Sequence, residues 1–296
     1  MAGLKEIESR LRSVQNTKKI TYAMKLVAAA KLRKAQEAVQ RSRAYTDALG
    51  GLLAQLSGSL SDSEGKYPLM NARAEVKNIH LVVIGGARGL CGGYNANLHR
   101  KVESAIKELS AEKPGATIST TILGRKPAEY YRRVNRQYLE SFENLLEDAT
   151  KWPIDDICGS IQNRFLSGEF DEVYVIFMNF KSALSQIPTL AKVLPLDPEA
   201  LKVSEDVEQG TGVALFEPSA DELFNALLPR IFRSKIRQAS LDAKASETAA
   251  RMTAMDAATK NAGELTKTLT RQKNKLRQGK ITSQLLDIVG GAEAVS

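Results

Sequence analysis

The sequence predicts an α/β protein. A long antiparallel coiled coil of the N-terminal (residues 1–57) and C-terminal (219–290) helices carries a central Rossmann-like α/β domain (75–210). Three observations predict this. No proline interrupts Gly3 to Leu56 or Arg230 to Val289. Apolar residues at both ends step at three and four, a coiled-coil rhythm. Between the ends, short β-type apolar runs alternate with helical stripes, the pattern of a mostly parallel sheet with helices on its faces.

In the first helix, Leu4, Ile7, Leu11 and Val14 open the heptad count, and Leu32, Ala35, Val39, Leu49, Leu53 and Leu56 continue it. Lys18, Thr21 and Lys25 occupy the heptad positions between, while the apolar stripe moves to Ile20, Met24 and Val27. A phase shift of this kind changes the supercoil locally. It predicts that the middle segment turns its apolar face toward something other than the partner helix.

NIHLVVIG (78–85) reads as a buried strand and runs into IGGARGLCGGYN (84–95), which holds five glycines within nine positions. A helical stripe follows from Leu98 to Leu109. TISTTILG (117–124) is a second strand, PAEYYRRV a short helix, Trp152 to Leu166 another helix, EVYVIFMNF (172–180) a third strand and IPTLAKVLPL (187–196) a fourth. Pro218-Ser219 with Glu222 has the form of a capping box. Pro229 predicts a kink or restart just inside the last helix. Beyond it, Met252, Met255, Ala258, Ala262, Leu265 and Leu269 form an Ala/Met-rich stripe, suited to close approach of a second helix.

The glycine run invites a phosphate, but its spacing argues against one. A phosphate-binding loop ends in Gly-Lys-Ser/Thr, whereas Gly92-Gly93 precede Tyr94-Asn95. A dinucleotide fingerprint needs Gly-x-Gly-x-x-Gly and an acid after the next strand; here that strand ends Gly124-Arg125-Lys126. The glycines are instead expected to make a tight strand-to-helix turn, with Asn95 capping the helix. Cys91 and Cys158 are too few for a disulfide framework, and His80 and His99 too few for a metal centre. No nucleophile–base pair stands out.

Net charge is +8, unevenly placed. Residues 1–43 hold 11 Lys/Arg against 3 Asp/Glu, and residues 233–281 hold 12 against 4, so the middle is acidic. These basic ends are either solvated faces or surfaces turned toward one acidic partner. A basic coiled coil also suits nucleic acid, but the interleaved aromatics that stack on bases are missing.

EIESRLRSVQNTKKITYAMKLVAAAKLRKAQ, RGLCGGYN, QIPTLAKVLPL, LFEP, SETAARMTAMDAATKNAGEL and LRQGKITSQLLDIVGGAEA together resemble the gamma subunit of the F-type ATP synthase. The form they resemble is bacterial and non-photosynthetic, without a regulatory dithiol insert. Two small departures are GGARGL, where an Asp or Ser-Asp commonly precedes the Arg, and Ser283-Gln284, where a glutamate is common. The resemblance implies a non-catalytic rotor shaft that couples ion-driven rotation of a membrane ring to ATP synthesis on an alpha/beta ring. It implies as partners the alpha and beta subunits, the epsilon subunit and the membrane c-ring. It also implies no cofactor, no nucleic acid and no direct nucleotide binding, and a peripheral place on the cytoplasmic face of the bacterial inner membrane. Met24, Lys25, Arg277 and Gln278 are implied as beta-subunit contacts, and Phe216 and Glu217 as rotor-foot contacts.

Overall fold

A computed structural model of the chain describes residues 3–57, 66–197 and 220–293. The chain divides into two compact units, one made of residues up to 29 with those from 251 onward, the other of residues 30–250. Two helices run through both: α1 (Leu4–Ser57) and α5 (Ala220–Glu293).

In the first unit, α1 and α5 bury the heptad positions. Ile7, Thr21 and Ala28 of α1 are buried, as are Met255, Ala262 and Leu269 of α5. On α5 the sequence-predicted stripe needs one correction. Leu265 is 48% exposed, and Thr266 is the half-buried residue at this level. A strict 3.5-residue repeat places the residue after Ala262 four positions on, not three. Thr266 tolerates the site because its hydroxyl donates to the Ala262 carbonyl (2.7 Å).

The second unit is built on five strands in the order β3-β2-β1-β4-β5. They are β1 (Asn78–Ile84), β2 (Thr117–Leu123), β3 (Glu140–Phe142), β4 (Glu172–Phe180) and β5 (Gln186–Leu194). The first four run parallel, and β5 pairs antiparallel to β4. That exception follows from chain length. Only Lys181–Ser185 separates the two strands, enough for a hairpin and far short of a parallel crossover. The helices between are α2 (Tyr94–Glu112), α3 (Arg125–Arg133) and α4 (Ile154–Leu166). Strand β1 lies at the centre, and its apolar run is buried on both faces. On one face Ile79, Leu81 and Val83 join Leu98, Val102, Ala105 and Leu109 of α2 and Tyr131 of α3 in the main core.

Two sequence expectations change here. Helix α5 does not restart at Pro229 but runs through it. An internal proline costs about 3 kcal/mol; burial of Leu227, Leu228, Ile231 and Phe232 around it supplies at least as much at ~1.5–3 kcal/mol per side chain. The alanine-rich stretch of α5 is also more than a helix–helix seam. Ala239, Ser240, Ala243, Ala245, Ser246 and Ala249 are all 2% exposed or less, and Ser246 donates to the Met178 carbonyl of β4 (2.9 Å). Small side chains let the helix axis approach the sheet.

One polar residue sits inside the β1 run. His80 is fully buried, with Nδ1 2.8 Å from Ser119 Oγ and Nε2 3.1 Å from Thr121 Oγ1, and it stacks on Phe170 at 4.2 Å. Burial, aided by the nearby Arg164 charge, lowers its pKa to about 3. Burial and Arg133 lower that of His99 to about 4, against an opposing pull from Glu103. Both rings are therefore neutral in the folded chain but protonate below about pH 6.5 once unfolded. Stability is fully present above pH 6.5 and falls as pH drops toward these folded values, by about 1.4 kcal/mol per pH unit for a buried ring. Urea unfolding followed by Trp152 fluorescence checks this. Near pH 5, where an unfolded imidazole is almost fully protonated, unfolding of the parent should take up about one proton more than unfolding of His80→Gln. An identical pH slope in the two would refute the assignment.

Candidate functional site

Two regions hold the candidate residues. The first is the helix pair of the first unit. Lys25 is half-buried, and its Nζ lies 2.6 Å from Asp256 Oδ1; Lys260 Nζ lies 2.8 Å from Asp256 Oδ2. The Lys25 hydrogen bond first, then that of Lys260, holds the Asp256 carboxyl down at about 2. One turn away, Thr259 Oγ1 lies 2.8 Å from Thr21 Oγ1. At the other end, Lys273 Nζ lies 3.6 Å from Glu8. The seam is thus polar where the sequence shows its phase shift. The displaced apolar residues point out: Ile20 is 60% exposed and Val27 55%, with Tyr22 and Leu26 beside them and Met24 half-buried. Around this stripe Arg10, Arg12, Lys18 and Lys19 are exposed, and none makes an ion pair among the described residues.

The sequence singled out Lys25 for an external contact, yet its ammonium is held within the chain. Asp256, its partner, carried no signal beyond opposite charge. Arg277 and Gln278 are exposed. They stand level with the start of α1, since Lys273 stands opposite Glu8 and four residues further along bring Arg277 to Leu4. Beyond them Ile281, Leu285, Leu286, Ile288 and Val289 are all exposed. The 15 residues of α5 after Gln278, to Glu293, extend ~22 Å at ~1.5 Å each. Phe216 and Glu217, and the capping-box residues Pro218 and Ser219, lie outside the described residues.

The second region is the glycine turn between β1 and α2. Its glycines answer to packing. A Cβ on Gly85 would stand 2.7 Å from Leu98 Cδ2 and 2.8 Å from Pro127, and one on Gly86 2.9 Å from Asn95 Oδ1. Gly92 has φ +55° and Leu90 φ +60°, the left-handed region that favours glycine. Asn95 is not the helix cap. Gly93 holds that position with no side-chain cap bond, while Asn95 Nδ2 donates to the Arg88 carbonyl (3.3 Å) and meets Cys91 Sγ (3.2 Å). The helix simply begins two residues earlier than the capping pattern implies, so the Asn95 side chain turns back to brace the loop. Both cysteines are buried thiols in no disulfide, and burial pushes the Cys158 thiol up to about 12, too high for a thiolate nucleophile at neutral pH. Among the described residues no three metal-ligating side chains converge, and no helix is long and apolar enough to cross a membrane.

The family model described as ATP synthase matches residues 3–295. The ATP synthase gamma chain of Nostoc punctiforme is 39% identical over 318 aligned positions, covering all of both chains. That of Heliobacterium modesticaldum is 39% identical over 298, again covering all of both. Among solved structures, the rotor of the Euglena gracilis mitochondrial ATP synthase matches 94% of this chain and 98% of its own, with a TM-score of 0.60 at 18% identity. A second structure of the Euglena enzyme, comprising OSCP, F1 and c-ring, matches 99% of this chain with a TM-score of 0.62 at 19% identity. These likenesses share the fold of terminal helices around an α/β sheet. With a family match over nearly every residue and full-length relatives at this identity, the chain belongs to the ATP synthase gamma chain family.

Proposed function

We propose that the chain is the central rotor shaft of a proton-translocating F-type ATP synthase. It joins rotation of a membrane c-ring to ATP synthesis on a ring of alpha and beta chains and does no catalysis itself. The observation that carries this is the inverted arrangement of the helix pair. Polar heptad residues fill the seam, while Ile20, Met24 and Val27 and the unpaired cations Arg10, Arg12 and Lys19 line the outer face. Such a surface is suited to being enclosed by an acidic ring. The exposed tip from Ile281 to Val289 suits an apolar bearing. Met24 and Lys25 on the first helix, and Arg277 and Gln278 on the second, are assigned to beta-chain contact; Phe216 and Glu217 are assigned to the rotor foot. The epsilon chain and a peripheral place on the cytoplasmic face complete the reading. Packing accounts for Gly85 and Gly86, which supports a turn that binds no nucleotide.

The test is reconstitution. The purified chain alone should hydrolyse no ATP and give no micromolar ATP binding by calorimetry. Mixed with its cognate alpha and beta chains it should form a complex that does hydrolyse ATP. Hydrolysis or micromolar binding by the isolated chain would overturn the non-catalytic reading. A salt-sensitive gel shift with DNA, without co-assembly, would favour the nucleic-acid alternative.

A further inference from the structure

The glycine loop binds nothing in this reading, yet it is the most strongly marked motif in the chain. Its surroundings suggest a mechanical task. Glu147, in the segment after β3, receives three cations from three different elements. Its Oε1 lies 3.1 Å from Lys31 Nζ of α1 and 3.3 Å from Lys244 Nζ of α5, and its Oε2 lies 3.8 Å from Arg88 of the loop. Lys244 is only 11% exposed and also meets Glu247 at 3.3 Å, itself 4% exposed. The loop touches α5 twice more. The Tyr94 hydroxyl donates to the Ala243 carbonyl (3.0 Å, buried), and a Cβ on Gly86 would stand 3.4 Å from the Glu247 carboxyl carbon.

The geometry points to the RGLCGGYN loop and Glu147 as the clamp that fixes the sheet's angle against the segments of the two helices that belong to the same unit. Glu147 is its central positioning residue. This rests on the rotor reading above. The physical reason is directionality. Apolar packing is non-directional, so two close-packed surfaces resist separation better than sliding. Charge-assisted hydrogen bonds weaken steeply once their atoms are displaced. A carboxylate hydrogen-bonded by Lys31 of α1 and Lys244 of α5, with Arg88 of the loop ion-paired to it at 3.8 Å, therefore opposes rotation of the sheet about the helices in either sense.

The experiment uses the assembled alpha–beta–gamma complex, its ring fixed to a surface and a magnetic bead on a cysteine introduced at exposed Lys107 of α2. Torsional stiffness is read from bead angle against applied torque, beside unloaded ATPase rate. Glu147→Ala should lower stiffness at least twofold with the unloaded rate within twofold of the parent, and Glu147→Gln should lie between. Asp155→Ala, which removes the exposed Arg237–Asp155 pair (3.0 Å) between α4 and α5, should leave stiffness unchanged. Parental stiffness in Glu147→Ala, or an equal fall in Asp155→Ala, overturns the clamp. If Glu147→Ala does not assemble, Glu147→Gln is the reading variant. Failure of both to assemble also overturns it, because Glu147 then serves folding rather than stiffness. A parent complex that hydrolyses ATP without turning the bead defeats the rotor reading instead, and is recognised before any variant is measured.

Discussion

Gly124→Ala should destabilise the sheet-bearing unit by about 3–5 kcal/mol. Gly124 follows β2 with φ +116° and ψ 147°, a region essentially closed to residues with a Cβ. The strain alone costs about 1–3 kcal/mol. The added methyl would stand 2.5 Å from the Gly85 carbonyl oxygen and 3.0 Å from its carbon. Neither atom can yield. Gly85 N–H is bonded to the Leu123 carbonyl (2.8 Å), Gly124 N–H to Phe142 (2.9 Å) and Lys126 N–H to Gly86 (2.9 Å). Overpacking of this kind adds ~1–3 kcal/mol. Against a typical total of ~5–15 kcal/mol, the variant should show a large fall in urea midpoint, read from buried Trp152. Gly89→Ala is the control. Nothing lies within 4 Å of its Cβ and its φ is ordinary, so its midpoint should stay within ~0.5 kcal/mol of the parent. If Gly124→Ala unfolds at the parental midpoint, the ends of β1 and β2 do not approach as closely as described.

That contrast marks how far the loop was legible. Its spacing excluded two phosphate motifs, and packing explains Gly85 and Gly86 without one. Gly124, however, reads in the sequence only as the residue that ends a strand. Its constraint arises because β1 and β2 end side by side and their following turns collide, a fact of register rather than of local pattern. Asn95 was misread for the same kind of reason. An Asn near a helix start fits a cap, but the loop's left-handed residues start α2 at Tyr94 and leave Asn95 inside its first turn. Strand β3 escaped notice because three residues with one exposed carry no periodicity.

The helices were more legible, because heptad spacing is a one-dimensional signal. It located both long helices and the phase shift at Ile20, Met24 and Val27. It did not supply the Lys25–Asp256 and Thr21–Thr259 contacts. Those depend on the register of two helices far apart in the chain, which single-helix periodicity leaves open. At Leu265 the stripe was extended by helical spacing where the seam keeps a coiled-coil repeat, and one residue of drift moved a leucine into solvent.

The double variant Ile20→Asp/Val27→Asp should separate folding from function most sharply. Both side chains are more than half exposed in the chain alone. Replacing them changes little there: surface substitutions fall within ~0.5 kcal/mol each, and α1 retains its buried heptad residues. The isolated chain should keep its thermal midpoint to within a few degrees. Assembly is another matter. If a ring of alpha and beta chains encloses this face, the parent gains from burying the exposed part of each side chain, at ~25 cal/mol per Å². The variant instead carries two carboxylates into that contact. A charge transferred from water without a partner costs several kcal/mol, and an acidic ring adds repulsion. Two such terms amount to a loss of at least 100-fold in assembly affinity, which is ~2.7 kcal/mol. Ile20→Ala/Val27→Ala, which removes only apolar area, should lose less than 30-fold. Native gels across a titration of alpha and beta chains, with ATPase rate as a second readout, measure both variants beside the parent. Assembly of the Asp variant at parental concentrations would mean the outward stripe meets no partner, and the polar seam would then need another explanation. Loss in the Asp variant, with its fold intact and the Ala variant only mildly affected, would identify the stripe as the face that the ring grips.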